Sequence, residues 1–281
     1  MSDDRTPPSP PTVAFQGELG AFSEEGIIQL WAGRATPVPH RDFDAVARSV
    51  GQGDVDYGLL PIENTLAGSV IASYDALASN EDLHIVGETV VAIHHCLLAL
   101  PGTAIDELLS VASHPVALAQ CGDFLRGNPQ LDVRSWYDTA GAARDLAAKG
   151  NRAAAAIAGR RAAVRYSLDI VVADIEDRHD NQTRFVALAR VAAAPEAGAP
   201  ARTALVLETD NEPGALLRVL TPIANEGINL SKLESRPTGE PWSYRFFVEM
   251  EHAAGAAALD RCLDRMRAAS RALRVLGTYA I

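Results

Sequence analysis

The stretch VAAAPEAGAPA, residues 191–201, constrains this chain more than any other. It is made of Ala, Pro and Gly with one Val and one charge. It therefore offers neither the alternating face of a strand nor the apolar stripe of a helix. Such a segment reads as a linker. It separates residues 13–190 from residues 202–281, and each piece is long enough to close its own core. Two domains are expected. Ahead of them, residues 1–12 begin MSDDRTPPSPP, acidic and Pro-rich with no apolar run. That segment reads as a disordered lead-in, neither a signal peptide nor a membrane span.

The first domain alternates short apolar runs with amphipathic stretches, the pattern of an α/β fold with a largely parallel sheet. Strands are expected at TVAFQG, DYGLLPI, HIVGETVVAIHHCLLAL, LLSVAS, VRSWY, RAAAAIA and LDIVVAD. Helices are expected after Phe22, Thr65, Ser113, Thr139 and Ala158. The long apolar run near residue 90 reads as strands crossing between two lobes with a cleft between them. The second domain reads βαββαβ: TALVLETD, a helix from Pro213 to Asn225, INLSKLESRP, WSYRFFVEM, a helix over 255–269, and ALRVLGTYA. Pro213 suits a first helical turn and Gly227 a left-handed stop, so a ferredoxin-like domain is expected.

Charge narrows the function classes. The formal net charge is −11, which argues against general nucleic-acid binding. Lysine occurs only at Lys149 and Lys232, so arginines and helix N-termini must hold any anionic substrate. Cys96, Cys121 and Cys262 are odd in number and far apart, without a disulfide framework, and a reducing cytoplasm is the simplest setting.

Several strand-to-helix junctions of the first domain carry polar residues where a crevice is expected in open α/β sheets. Glu63, Asn64 and Thr65 follow LLPI, and one cap there would be enough. Ser113 is a good N-cap before Pro115, with Gln120 on the next turn; Asp138 or Thr139 caps a further helix. Any helix accepts such caps, so singly they mean little. His94 and His95 have no third ligand at a familiar metal spacing, and a strand-end pair bound to backbone is the simpler reading. No Ser-His-Asp, Cys-His or paired-carboxylate arrangement is identifiable from spacing. In DNQTRF, residues 180–185, Asp180 and Asn181 suffice for a turn, which leaves Thr183 and Arg184 unexplained.

Taken in order, LPIENTLAGSV, HHCLLALPG, SHPVALAQC, DNQTRFVAL and NEPGALLRVLTPIANEGINLSKLESRP closely resemble the monofunctional prephenate dehydratases, a catalytic domain followed by an ACT regulatory domain. No chorismate mutase helices precede them. The resemblance runs from about Val13 to the end of the chain. It implies a catalytic domain like the two-lobed periplasmic binding proteins, and conversion of prephenate to phenylpyruvate, water and carbon dioxide. It implies no cofactor and no metal, phenylalanine as effector, and a homodimer or homotetramer. It makes Thr183 of the TRF motif essential, with Arg184 beside it binding a carboxylate or orienting the loop. Asn64, Ser113 and Gln120 are implied at the substrate, with Glu63, Thr65 and Phe185. In the second domain, Asn211, Gly214, Ala215, Leu216, Asn229, Leu230, Glu234, Ser235 and Arg236 are the effector-binding expectation. Two rival readings stay open here: an arogenate dehydratase, and a two-lobed module that binds an aromatic acid without turning it over.

Overall fold

The computed structural model describes residues 9–239 and 242–281. Most of the expected lead-in, residues 1–8, lies outside the described residues. Contacts divide the chain into two units: one takes the chain up to Ser73 with Thr89–Phe185, the other Tyr74–Glu88 with Val186–Ile281.

The elements up to the linker are β1 (Thr12–Gln16), α1 (Phe22–Leu30), β2 (Thr36–His40), α2 (Phe43–Gln52), β3 (Tyr57–Asn64), β4 (Gly68–Ser69), α3 (Ile71–Ser79) and β5 (His84–Ala92). They continue as β6 (Cys96–Ala99), β7 (Ser110–Ser113), α4 (Pro115–Gln120), α5 (Gly122–Gly127), β8 (Asp132–Ser135), α6 (Thr139–Lys149), β9 (Ala154–Ala158), α7 (Arg160–Tyr166), β10 (Asp169–Val172) and β11 (Gln182–Ala189). They build two sheets, in the orders β2-β1-β3-β11-β5 and β10-β6-β9-β7-β8, with β4 pairing back on β3. The run near residue 90 divides as expected, ending in the first sheet at Ala92 and resuming in the second at Cys96. The chain returns to the first sheet only at Gln182. Phe15, Leu59, Leu60 and Ile62 are buried in the first sheet. Leu97, Leu108, Val111 and Ile157 anchor the core of the second. Each such side chain contributes about 1.5–3 kcal/mol when fully buried.

Strand β2 and helix α2 are among the elements that were not anticipated. The prolines of TPVPH argue against a strand, but β2 pairs only with β1 at the sheet's edge, where a missing N–H is tolerated. Helix α2 carries ordinary signals: Asp42 accepts from the Ala45 N–H at 2.7 Å, and Gly53 closes it at φ 82°. Two expected helix starts are corrected. After Thr65 the chain turns into β4, and α3 begins only at Ile71. The N-cap of α4 is His114, whose ring accepts from the Val116 N–H, while Ser113 still belongs to β7.

The second unit contains β12 (Pro200–Glu208), α8 (Ala215–Asn225), β13 (Asn229–Pro237), β14 (Tyr244–Ala253), α9 (Ala257–Ala269) and β15 (Ala272–Ala280). The sheet order is β13-β14-β12-β15, every pairing antiparallel, which is the expected ferredoxin-like topology. Val219, Ile223, Cys262 and Met266 of the two helices pack on Leu205, Val248 and Met250. The expected start of α8 at Pro213 is corrected: Gly214, at φ 78°, is the N-cap and Pro213 stands outside the helix. Residues 74–88 join this unit although the expected linker lies far downstream, and the last two residues of that expected linker, Pro200 and Ala201, are corrected to the start of β12. Tyr74 packs on Phe247 with ring centroids 4.7 Å apart, and Arg274 donates to the carbonyls of Leu77 and Asn80 at 2.6 and 3.2 Å. No helix among the described residues is long and apolar enough to cross a membrane.

Candidate functional site

Strands β3 and β11 are neighbours in the first sheet, which brings Asn64 beside the TRF segment. The Asn64 Oδ1 accepts the N–H groups of Leu66 and Ala67 at 3.0 and 2.8 Å. Backbone N–H groups only donate, so they fix which end of the amide is oxygen. The Asn64 Nδ2 must then donate, and it reaches Thr183 Oγ1 at 2.9 Å, Asn181 Oδ1 at 2.8 Å and the Gln182 carbonyl at 3.1 Å. Thr183 is 9 % exposed, and its oxygen is the acceptor. Its hydroxyl proton has no partner among the described residues and is left for a ligand.

The chain of bonds continues into the second lobe. Asn181 is fully buried, and its Nδ2 donates to Gln120 Oε1 at 3.0 Å. The same Gln120 oxygen lies 3.0 Å from His95 Nε2. The backbone of His95 is pinned in turn, because its N–H donates to Glu176 Oε2 at 2.8 Å. The Glu176 carboxylate has no exposed surface and also takes His94 Nδ1 at 2.8 Å. Burial pushes the Glu176 pKa up, but the bonds from His94, the His95 N–H and His179 outweigh it, and the net shift is down. For His95, burial dominates and holds the imidazole below its ordinary range. Cys121, next to Gln120, is pushed up to about 12 by burial and by the nearby Asp177 and Glu176 carboxylates, so it supplies no thiolate nucleophile.

The structure separates other expected residues from this network. Side chains alternate across a strand, so Arg184 points away from the face that carries Thr183. There its Nη2 meets Glu63 Oε2 at 3.2 Å. This corrects the placing of Arg184 and Glu63 on the ligand's side: the pair ties β11 to β3. Phe185 is 2 % exposed and is a core residue. Thr65 fastens the turn after β3, donating to the Asp180 carbonyl at 3.1 Å and accepting from the Gln182 N–H at 3.0 Å. Ser113 is fully buried and gives its hydroxyl to the Ile157 carbonyl at 2.6 Å, so it aligns β7 with β9 rather than facing a ligand.

Asn181, His95 and Glu176 were missed. Asn181 looked like a turn former, and no local pattern distinguishes a turn Asn from a buried one. The backbone reading of the His pair is corrected: His94 meets a carboxylate and the His95 ring meets an amide. The ligand atoms of His94, Asp174 and Glu176 lie within 4.8 Å of one another. The carboxylates come from far along the chain, where spacing could not reveal them. Both Asp174 oxygens accept from Arg160 Nη2, at 2.8 and 2.7 Å, so the protein's own cation supplies the countercharge.

The effector expectation falls into two groups. Asn211, Gly214, Ala215 and Leu216 lie between the end of β12 and the first turn of α8. Asn229 and Leu230 begin β13; they pair with Glu251 and Met250, level with the start of β12. Arg236 pairs with Arg245, level with Glu208 at the other end. The eleven residues of α8 separate the two ends by roughly 16 Å at 1.5 Å per residue. Glu234 and Arg236 alternate with Ser235 across β13 and so take the opposite face. Within one chain, the nine residues do not form one pocket.

Comparison with known proteins places these features. The family model for prephenate dehydratase matches residues 13–193, and that for the ACT domain matches residues 203–268. Arogenate dehydratase/prephenate dehydratase 2, chloroplastic, of Arabidopsis thaliana is 38% identical over 279 residues, covering 96% of this chain and 72% of the relative. The crystal structure of a prephenate dehydratase in complex with L-Phe from Arthrobacter aurescens superposes with a TM-score of 0.89 at 32% identity, covering 96% of this chain and 90% of that one. A solved protein described as a novel type of quorum quenching acylase, GqqA, gives a TM-score of 0.87 at 33% identity, covering 96% and 97%.

Proposed function

Because this chain belongs to the prephenate dehydratase family and carries an ACT domain behind its catalytic domain, we propose that it converts prephenate to phenylpyruvate and that phenylalanine restrains it. In this reaction the ring carboxylate leaves as carbon dioxide. The electron pair of the broken C–C bond enters the ring, and the ring hydroxyl departs with one added proton as water. Aromatisation supplies the driving force, and no electrons leave the substrate, so no redox cofactor is called for. The protein must stabilise the departing oxygen.

The observation that carries this reading is the direction of the Asn64–Thr183 bond. Asn64 donates to Thr183 at 2.9 Å, so the threonine's own O–H is available to the leaving hydroxyl. A Thr hydroxyl is a very weak acid, and its part is to stabilise or relay rather than to surrender a proton for good. The N–H groups of Gln120, without an acceptor among the described residues, supply a donor for a substrate carboxylate. Arg184 supports the same site from behind, through Glu63.

Regulation fits the second domain. Its two groups of expected effector residues stand at opposite ends of one sheet, and a single amino acid meets both only when two copies pack together. That arrangement supports a homodimer or homotetramer. Three buried thiols without a disulfide suit a reducing compartment such as the cytoplasm.

The test is turnover by the purified full chain, reading phenylpyruvate from prephenate and phenylalanine from arogenate. The larger kcat/KM identifies the substrate. The reading predicts prephenate, and a strong preference for arogenate would replace it with arogenate dehydratase, the other activity in the Arabidopsis relative's name. Acylase activity with no aromatic product would align the chain instead with the relative described as an acylase.

A further inference from the structure

The hydrogen-bond chain runs in one direction from Asn64 to the Gln120 oxygen. It starts at two backbone N–H groups on Asn64 Oδ1. Asn64 Nδ2 donates to Asn181 Oδ1, and Asn181 Nδ2 donates to Gln120 Oε1. Since Gln120 presents its oxygen there, the His95 nitrogen 3.0 Å from it must carry a hydrogen. The neutral ring is therefore the Nε2–H tautomer. Its Nδ1 is a bare lone pair, buried and without a hydrogen-bond partner among the described residues. The residue is 2 % exposed, with Phe22 edge-on to the ring at 5.6 Å.

We infer that His95 is a positioning residue of the dehydratase site: by donating Nε2–H to Gln120 Oε1, it locks the Gln120 amide with its NH2 group towards the substrate. With both donors in place, the Gln120 oxygen is saturated and turned inward. Its nitrogen has no acceptor among the described residues, and it is the end left to meet an anion. Without the His95 donor, one bond from Asn181 remains and the amide swings more freely about its side-chain torsions. Burial that holds the imidazole neutral favours the same arrangement. The Glu176 bond to the His95 N–H sets where the ring stands. This inference rests on the dehydratase reading for its kinetic consequence, but not for the tautomer.

Two measurements test it on the full-length protein. Imidazole 15N–1H correlation spectra at pH 7, with the His95 signal assigned by its loss in His95→Gln, are expected to show the Nε2–H tautomer. An Nδ1–H tautomer or an imidazolium overturns the inference, whatever the enzyme does with prephenate. In steady-state kinetics, His95→Leu is expected to raise KM for prephenate about tenfold, with kcat changed much less, the signature of lost substrate positioning. His95→Gln, whose amide nitrogen reaches the place of Nε2, is expected to restore KM to within about threefold. In a Gln120→Leu background, His95→Leu is expected to add no further effect. Additive effects, unchanged KM in His95→Leu, or failure of His95→Gln to restore KM overturns it. Should His95→Leu not fold, His95→Asn replaces it, because its nitrogen falls short of Gln120. A wild-type protein that does not turn over prephenate contradicts the proposed function and leaves the tautomer result to decide on His95.

Discussion

Asn64 Nδ2 donates to Thr183 Oγ1 at 2.9 Å, across 119 residues of sequence. The direction matters more than the distance. It makes the threonine an acceptor from the protein and a donor to whatever lies beyond. Asn64→Asp keeps the oxygen that caps the turn but replaces the donor with a second acceptor. Thr183 must then turn its proton onto the new carboxylate. The variant is expected to fold normally and to lose about 10²-fold in kcat, checked by circular dichroism and phenylpyruvate release.

Ser113 tests the separation of framework from site. Its hydroxyl bonds the Ile157 carbonyl at 2.6 Å with no exposed surface. Ser113→Ala leaves a buried carbonyl without that donor and is expected to cost about 1–3 kcal/mol of stability. KM for prephenate should stay within about twofold, since the hydroxyl is spent on backbone. Urea titration reads the first and initial rates the second.

The pair Arg184–Glu63 is expected to show in stability rather than rate. Glu63 is 42% exposed on its side chain, so solvent screens the pair. A double-mutant cycle with Glu63→Gln and Arg184→Gln should give a coupling of about 0.2–1 kcal/mol in unfolding. Glu63→Gln alone should leave kcat within about threefold. A loss like that of Asn64→Asp would bring the pair to the reacting face.

Glu176 makes a pH-dependent contribution. Burial raises its pKa, but the bonds from His94, the His95 N–H and His179 together outweigh burial, and the folded value is lowered. The stability it contributes is present above the ordinary carboxylate range and is lost as pH falls through the lowered folded value. Glu176→Gln is therefore expected to be less stable than wild type at pH 7, and the gap should narrow as pH falls below about 4. Urea unfolding of both proteins across a range of about pH 3–7 checks the sign.

What was legible in the sequence follows physical range. The βαββαβ order and the last strand, ALRVLGTYA, are written in local composition and period. Strand β2 was hidden because two prolines read as breakers unless the strand is known to sit at an edge. The resemblance named Asn64, Gln120 and Thr183, and the structure joins these three in one network. Asn181 and His95 were not legible as members, because their partners come from other elements and their own neighbours look like a turn and a strand end. Of the two parts expected of Arg184, binding a carboxylate or orienting the loop, its pair with Glu63 fits the second, because a strand sends successive side chains alternately to opposite sides. The effector residues were named from motifs, and a motif does not show that Asn229 and Leu230 stand at the other end of the sheet from Arg236.

The central claim is that the Thr183 hydroxyl, held by Asn64, stabilises the departing oxygen. Single-turnover kinetics of Thr183→Val with saturating enzyme measures that step most directly, because the shape of the side chain is kept and only the hydroxyl is lost. Formation of phenylpyruvate is expected to slow by about 10²–10³-fold, with substrate affinity within a few fold. Thr183→Ser, which restores the hydroxyl, is expected to recover most of the rate. A wild-type rate constant in Thr183→Val would contradict the account.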